Sequence, residues 1–444
     1  MGEKKEQTFY KIITKVSLFL IIFIILLSIF SAVFKNKNSA ENIRTFYELP
    51  KNSIDVIFAG TSHPLFAFQP MLIWEEYGIP SYNICQGGQM IAQTYYCLEE
   101  AFRFQNPQVV VFDLYYIIKD SKYGNIEMAH TTIDNLKWSP IKIKAIIDTV
   151  PRKNWIDFFV PLTIYHSRWE ELNERDFSKL TNRRRGASVS FKIEPQEPEF
   201  NLTDEFLDIS EPSLDYLNRI IKLCNDNKAD LIFTVVPYNA GKDNDKKTFD
   251  QQFAIFNSAF KIAEKYGIPY INYLELIDEI GFDFQTDLFD STHINLLGAE
   301  KISSHIGNYL RENYQLDDYR NNIDYLKWNE DLKGYKNELL EVKTKHIKNC
   351  NTFNGYLKLI GKEADYTVFM SLGGNDVEGL SEKTLNIMKD FGIKNNLSAL
   401  NGNSWIAIID GGKLSYEESK KGLIEFQSEY NDKPVKIFSN GEGS

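Results

Sequence analysis

Cysteine is scarce in this chain of 444 residues, with only Cys85, Cys97, Cys224 and Cys350. These four lack the close spacing that metal sites use and do not make a disulfide framework, so each reads as a buried thiol. Basic side chains are outnumbered, 50 Lys and Arg against 61 Asp and Glu, for a net charge of -11. That balance disfavours nucleic acid as a partner and suits a soluble, acidic domain surface. Also missing is a small-x-small cleavage site closing the N-terminal apolar run, which argues against a removable signal peptide.

That apolar run is the first feature that is present. Residues 16–34 carry no charge and are rich in Ile, Leu and Phe. As a helix they would extend about 28 Å, close to the thickness of a bilayer's hydrocarbon core, so the run predicts one transmembrane helix. Lys4, Lys5, Lys11 and Lys15 precede it and only Lys35 and Lys37 follow closely. The excess places the N-terminus in the cytoplasm and everything after residue 38 outside. The abundance of Lys, Asn and Ile suits a low-GC bacterium.

From residue 55 onward short apolar runs alternate with helical stretches, the pattern of βαβ units in an α/β, doubly wound, mainly parallel sheet. Strands are expected at 55–59, 81–84, 108–113, 230–236 and 269–272. Residues 55–63, reading DVIFAGTSH, pass from such a strand through Gly60 to Thr61 and Ser62. The carboxyl end of a parallel strand is where open α/β sheets bind ligands, and Ser62 there is a candidate nucleophile. A serine needs a base at neutral pH. Residues 290–293, reading DSTH, supply Asp290 and His293 just before a segment in which Leu296, Ala299, Ile302, Ile306 and Leu310 recur at helical spacing. An Asp and a His three residues apart suit a base and the carboxylate that orients it.

GTS after the first strand and DxxH before the last helix resemble the first and last blocks of the SGNH, or GDSL-like, hydrolase superfamily over about residues 55–310. The resemblance implies a flavodoxin-like three-layer fold with Ser62 as nucleophile, His293 as base and Asp290 as its orienting acid. It also implies an oxyanion donor at Gly87 or Gly88, in the Gln86-Gly87-Gly88 turn after the second strand, although a Gly-Gly pair is more often only a turn. Here the chain departs from the family. Where a GxND-like asparagine is usual after the third strand, it reads Phe112-Asp113-Leu114-Tyr115-Tyr116. Tyr115 or Tyr116 could supply a phenolic donor instead, or the serine and glycine N–H groups suffice; Asp113 reads as a cap. Neither a metal nor a cofactor is expected.

The remaining chain divides by composition. Residues 1–38 form the cytoplasmic tip and anchor, and residues 39–315 a catalytic domain interrupted by an insertion at 117–206. That insertion holds His130 and His166, the aromatic and basic residues Tyr165, Arg168 and Trp169, and the run Arg183-Arg184-Arg185. Long insertions on a rigid sheet shape or cover a site, whereas three successive arginines usually mark an exposed face. Residues 316–346 read as a helical linker and 347–444 as a small α+β domain with strands at 366–371 and 405–409 and a helix at 380–391. In it Ser371, Asp376, Leu385, Gly392, Ser404, Trp405 and the turn at Asp410-Gly411-Gly412 resemble the ILEI-type domain, a lectin-like module, which implies carbohydrate or partner binding.

The function expected from these features is a membrane-anchored SGNH-type O-acyltransferase or esterase acting through acyl-Ser62 on cell-surface polysaccharide or another acylated glycan. The resemblance also implies a membrane-bound O-acyltransferase as a partner. The alternatives are a lipolytic or small-ester esterase with the same triad, and a catalytically silent polysaccharide-binding protein.

Overall fold

Five of the expected runs pair into one sheet. In the computed structural model they are β1 (Val56–Ala59), β2 (Ser81–Asn83), β3 (Val109–Asp113), β4 (Asp230–Val235) and β5 (Tyr270–Asn272). The structure describes residues 2–35, 41–177, 183–198, 202–239, 247–350, 352–360, 366–373, 380–400, 402–430 and 433–441. All pairings are parallel and the order is β2-β1-β3-β4-β5. The register sets Val56 against both Ser81 and Val109, and Asp113 against Thr234.

Every residue of β1 and β3 is buried, as a central parallel strand requires when helices cover both sheet faces. The helices Pro70–Tyr77 and Leu296–Asn313 pack on each other, as do Ile91–Ala101 and Glu211–Asp226. These two sets follow from right-handed crossovers to opposite sides of β1 and β3. Phe58 stacks on Phe68 at 4.7 Å between ring centroids; truncating such a buried ring costs about 3–5 kcal/mol. The outer edge of β2 is covered by the 183–188 segment, where the Asn83 N–H donates to the Arg185 carbonyl at 2.9 Å.

Arg185 departs from the exposed face expected of the arginine run. Arg183 is exposed, but Arg185 is buried, donates to Asp331 at 2.7 Å and lies 4.2 Å from the Trp328 ring centroid. Planar guanidinium stacking together with a carboxylate partner makes that burial tolerable. Parts of the insertion also fold as more than loop. Its helices Ile126–Ile133, Pro140–Thr149 and Trp155–Phe159 enclose a small core of Ala129, Ile133, Ile146, Val150 and Phe158. His130 lies flat on Phe158 at 3.7 Å and bonds Asp134 through Nδ1 at 2.9 Å, whereas His166 is exposed.

The N-terminal helix Gly2–Phe34 contains one stretch, Phe9–Phe34, long and apolar enough to cross a membrane.

The chain forms two compact units: residues 1–189, 197–283 and 291–336 in the first, residues 190–196, 284–290 and 337–444 in the second. The division falls within the helix Leu326–Lys348. In the second unit β6 (Thr367–Leu372), β7 (Ser404–Asp410) and β8 (Lys413–Lys420) form an antiparallel sheet, and β9 (Ile424–Tyr430) pairs with β10 (Lys433–Ser439) as a hairpin. Trp405, Ala407 and Ile409 point from β7 into a core shared with Met388 and Phe391 of the Glu382–Asp390 region. Asp376 lies outside the described residues.

Candidate active site

The site begins with a turn that only glycine closes. Gly60 has φ +148°, and a Cβ there would stand 2.7 Å from Pro64 Cγ and 3.2 Å from Asp113 Cβ. That crowding, with a backbone conformation hostile to L side chains, turns β1 sharply into the helix Ser62–Ala67. Ser62, the first helical residue, is half-buried, whereas Thr61 and His63 on either side are buried.

Two polar side chains hold this turn in place, and sequence reasoning did not anticipate either. Asn83, at the end of β2, donates from Nδ2 to the carbonyls of Pro64 at 2.8 Å and Phe68 at 3.2 Å. Its Oδ1 accepts the Cys85 N–H at 3.1 Å. Gln89 donates from Nε2 to the Gly60 carbonyl at 2.9 Å and to Thr94 Oγ1 at 3.1 Å. The only signal was a polar residue beside an apolar strand, and such residues are buried only where their hydrogen bonds are met.

The partner arrives from the far end of the unit. Asn239 N–H donates to the Ser291 carbonyl at 2.8 Å, and Asn295 caps the next helix by accepting the Gly298 N–H at 3.2 Å. Between these two fixed points His293 reaches back across 231 residues and sets Nε2 2.8 Å from Ser62 Oγ. Its Nδ1 is 3.1 Å from Thr292 Oγ1. With the ring proton on Nδ1, Nε2 is the acceptor for the serine hydroxyl, the geometry a general base needs. Asp290, three residues earlier, belongs to the second unit.

Aromatic rings wall this pair. Phe66 and His63 each lie 5.6 Å from the His293 ring centroid. His63 stacks on Tyr115 at 3.7 Å, and Tyr238 meets both edge-on, 5.2 Å from His63 and 5.0 Å from Tyr115. Tyr115 is thus a buried wall residue. Tyr116, 5.3 Å from it, is half-buried, and Lys119 Nζ lies 5.6 Å and 5.7 Å from the two rings. His63 was a further residue the sequence left unremarked.

Asp113 occupies the end of β3. Its two carboxylate oxygens accept the N–H groups of Tyr115 and Val236, each at 3.1 Å, so it caps the following turn and clamps it to β4. Burial pushes its carboxyl up to about 7 against the pull of those two N–H bonds. Gly87 and Gly88 form the middle of a turn closed by the Gln89 N–H on the Gln86 carbonyl at 3.2 Å. Gly88 has φ +67° and packs so tightly under Met128 that a Cβ would stand 2.8 Å from Met128 Cβ, whereas no atom lies within 4 Å of a Cβ placed on Gly87. Gly87 therefore borders open space on the turn tied to Gly60.

Among the described residues no three His, Cys, Asp or Glu side chains gather as a metal site would require. Cys85, Cys97 and Cys224 are buried and Cys350 half-buried, all as free thiols. Burial pushes the Cys97 and Cys224 thiols up to about 12, which suppresses the reactive thiolate. No protein-family model and no curated protein matches the sequence.

Proposed function

We propose that this chain is a membrane-anchored, extracytoplasmic serine acyl enzyme of the SGNH type, an O-acyltransferase or esterase of cell-surface polysaccharide. The observation that carries the reading is the 2.8 Å approach of His293 Nε2 to Ser62 Oγ at the carboxyl ends of parallel strands. The adjoining strands β1 and β3 send their connections in opposite directions, the switch point where such sheets bind ligands.

In this reading Nε2 takes the hydroxyl proton as Oγ adds to the carbonyl carbon of an acyl donor. Backbone N–H groups of Ser62 and of Gly87 or Gly88 meet the oxyanion, each donor contributing about 3 kcal/mol. Tyr116, the less buried of the two tyrosines, is the candidate third donor in place of the missing asparagine. The donor's leaving group departs with the proton from His293, leaving acyl-Ser62. A sugar hydroxyl then gives its proton to Nε2 as it attacks, the bond between Ser62 Oγ and the acyl carbon breaks, Oγ takes the proton back from Nε2, and the ester passes to the glycan. Asp290 is proposed to orient the imidazole, on its spacing from His293.

The excess of lysines before residues 16–34, Lys4, Lys5, Lys11 and Lys15 against Lys35 and Lys37, supports a catalytic unit outside the cytoplasmic membrane. The second unit, by its resemblance to the ILEI-type module, is proposed to hold the glycan. A membrane-bound O-acyltransferase is the proposed source of acyl groups.

Mass spectrometry of the purified full-length chain, after exposure to an activated acetyl ester, tests the reading. One acetyl group is expected on the peptide bearing Ser62, absent in Ser62→Ala and slowed by several orders of magnitude in His293→Ala. Asp290→Asn should cost less. Wild-type acetylation of that peptide in Ser62→Ala would overturn the assignment.

A further inference from the structure

Large apolar side chains are exposed on the helical part of the insertion, where a soluble domain has no use for them. Trp138, Ile156, Trp169 and Phe177 are 58%, 58%, 64% and 68% exposed, and Ile143 and Ile147 are exposed too. Ile143 and Ile147 stand four residues apart on the helix Pro140–Thr149, hence on one face. Apolar side chains scattered singly are ordinary on a protein surface; a concentration of them marks an interaction face.

The N-terminal helix indicates what covers this face. Most of Phe9–Phe34 is exposed, but Leu27, Ser31, Val33 and Phe34 are partly covered. Those last turns pack against Leu162–Tyr165, His166–Glu170 and Glu174–Phe177 of the insertion, and Arg168 donates from Nη1 to the Phe34 carbonyl at 2.5 Å. From Leu27 to Phe34 the helix rises about 10 Å, comparable to the depth at which interfacial helices sit in a bilayer. The segment 162–177 therefore lies beside the final turns of the apolar stretch. Charge agrees with this over one stretch: residues 137–153 expose Lys137, Lys144, Arg152 and Lys153 against the single acid Asp148, whereas Lys142 is buried with Nζ on the Asp134 and Leu136 carbonyls and residues 157–176 carry Asp157, Glu170, Glu171, Glu174 and Asp176 against Arg168 and Arg175. Tryptophan beside basic residues is the composition of a membrane–water interface.

We propose that the insertion is a second membrane contact, lying on the leaflet from which the anchor emerges and favouring anionic lipid headgroups. Trp138, Ile143, Ile147, Ile156, Trp169 and Phe177 enter the interfacial layer while Lys137, Lys144, Arg152 and Lys153, all exposed, meet phosphate. The proposal rests on the reading of Phe9–Phe34 as a membrane anchor. It adds that the catalytic unit is held against the bilayer rather than swinging on a tether. Because Met128 of the same insertion packs on Gly88, such docking fixes the height of the Gly87–Gly88 turn above the membrane.

The N-terminal helix contains no tryptophan, so tryptophan quenching by lipid reports on the rest of the chain. The full-length protein is reconstituted in phosphatidylcholine vesicles, with and without phosphatidylglycerol, and quenched by lipids brominated in the upper acyl chain. Quenching is expected to be at least twofold stronger than in Trp138→Phe/Trp169→Phe, and to increase with phosphatidylglycerol; circular dichroism checks that the variant folds. A chain that floats with the vesicles but is quenched equally in both forms overturns the docking and leaves the anchor intact. Failure to float overturns the anchor reading itself. Shielding of these tryptophans from aqueous iodide without lipid quenching, growing with protein density, assigns the face to a second copy of the chain and likewise overturns the proposal.

Discussion

Gln89 Nε2 donates to the Gly60 carbonyl at 2.9 Å, so one side chain ties the turn that presents Ser62 to the turn that contains Gly87 and Gly88. The proposed nucleophile and candidate oxyanion donor follow different strands, and this bond, with the Asn83 clamp, fixes their relative position. Catalytic geometry is sensitive to displacements of about 1 Å.

Replacing Gln89 with Met, close in volume but unable to donate, is expected to lower the rate of Ser62 acetylation about tenfold or more. Global stability should fall by only about 1–3 kcal/mol, the cost of leaving a buried carbonyl without its donor. Urea titration and single-turnover acetylation measure the two effects separately. Equal acetylation rates in variant and wild type would show that the two turns keep their relative position without Gln89.

Asp113 sets a pH dependence whose sign is unusual for a carboxylate. Its folded-state value, about 7, lies above the ordinary 3.8 because burial disfavours the charge. Between about pH 4 and pH 7 the folded chain keeps a proton that the unfolded chain has released, so this group's contribution to stability is full below pH 4 and declines as pH rises through the window. Three pKa units correspond to roughly 4 kcal/mol. Asp113→Asn cannot ionise, so its stability deficit relative to wild type should shrink as pH rises from 4.5 to 7.5, read from urea midpoints. A deficit that stays constant across that range would mean Asp113 is ionised throughout.

The parts of this architecture that were legible in the sequence are those whose environment is uniform. Strands β1 and β3 are covered on both faces, so Val56, Ile57 and Phe58 and the run 109–112 are continuous apolar stretches that announce themselves. Expected and observed bounds for the five parallel strands differ by no more than a residue at either end. Strands β8, β9 and β10 of the second unit were not legible. In β8, Lys413–Lys420, Lys, Ser and Glu alternate with only Leu414 and Tyr416, because most of the strand is partly or wholly solvated. Ser62 and His293 could be paired in advance because a strand-end serine needs a base. Asn83 and Gln89 could not, since a polar clamp is recognised only by what it holds, and the turns it holds come together only in the fold. Arg185 was misread for a related reason: three arginines in a row look alike in sequence, and the fold buries one against Trp328 and Asp331.

In the proposed mechanism, transfer and hydrolysis share the acyl-Ser62 intermediate and differ only in what attacks it. A transferase must hold a sugar hydroxyl at near-attack distance and exclude water, so positioning contributes far more to its rate than to that of an esterase. The insertion borders the site through Met128, which packs on Gly88 while remaining partly exposed itself. Truncating Met128 to Ala opens space above the Gly87–Gly88 turn without removing any group proposed to act in the chemistry. In the wild-type chain, surface polysaccharide is expected to accelerate loss of the acetyl label from Ser62 and to acquire that label. In Met128→Ala the same label should shift severalfold toward free acetate, while the rate of initial acetylation changes little. Chromatography of the released products distinguishes the two routes. Decay that ignores every surface-polymer acceptor, with free acetate forming at the full rate in wild type, would make the chain an anchored esterase, because no positioned hydroxyl would then be outcompeting water.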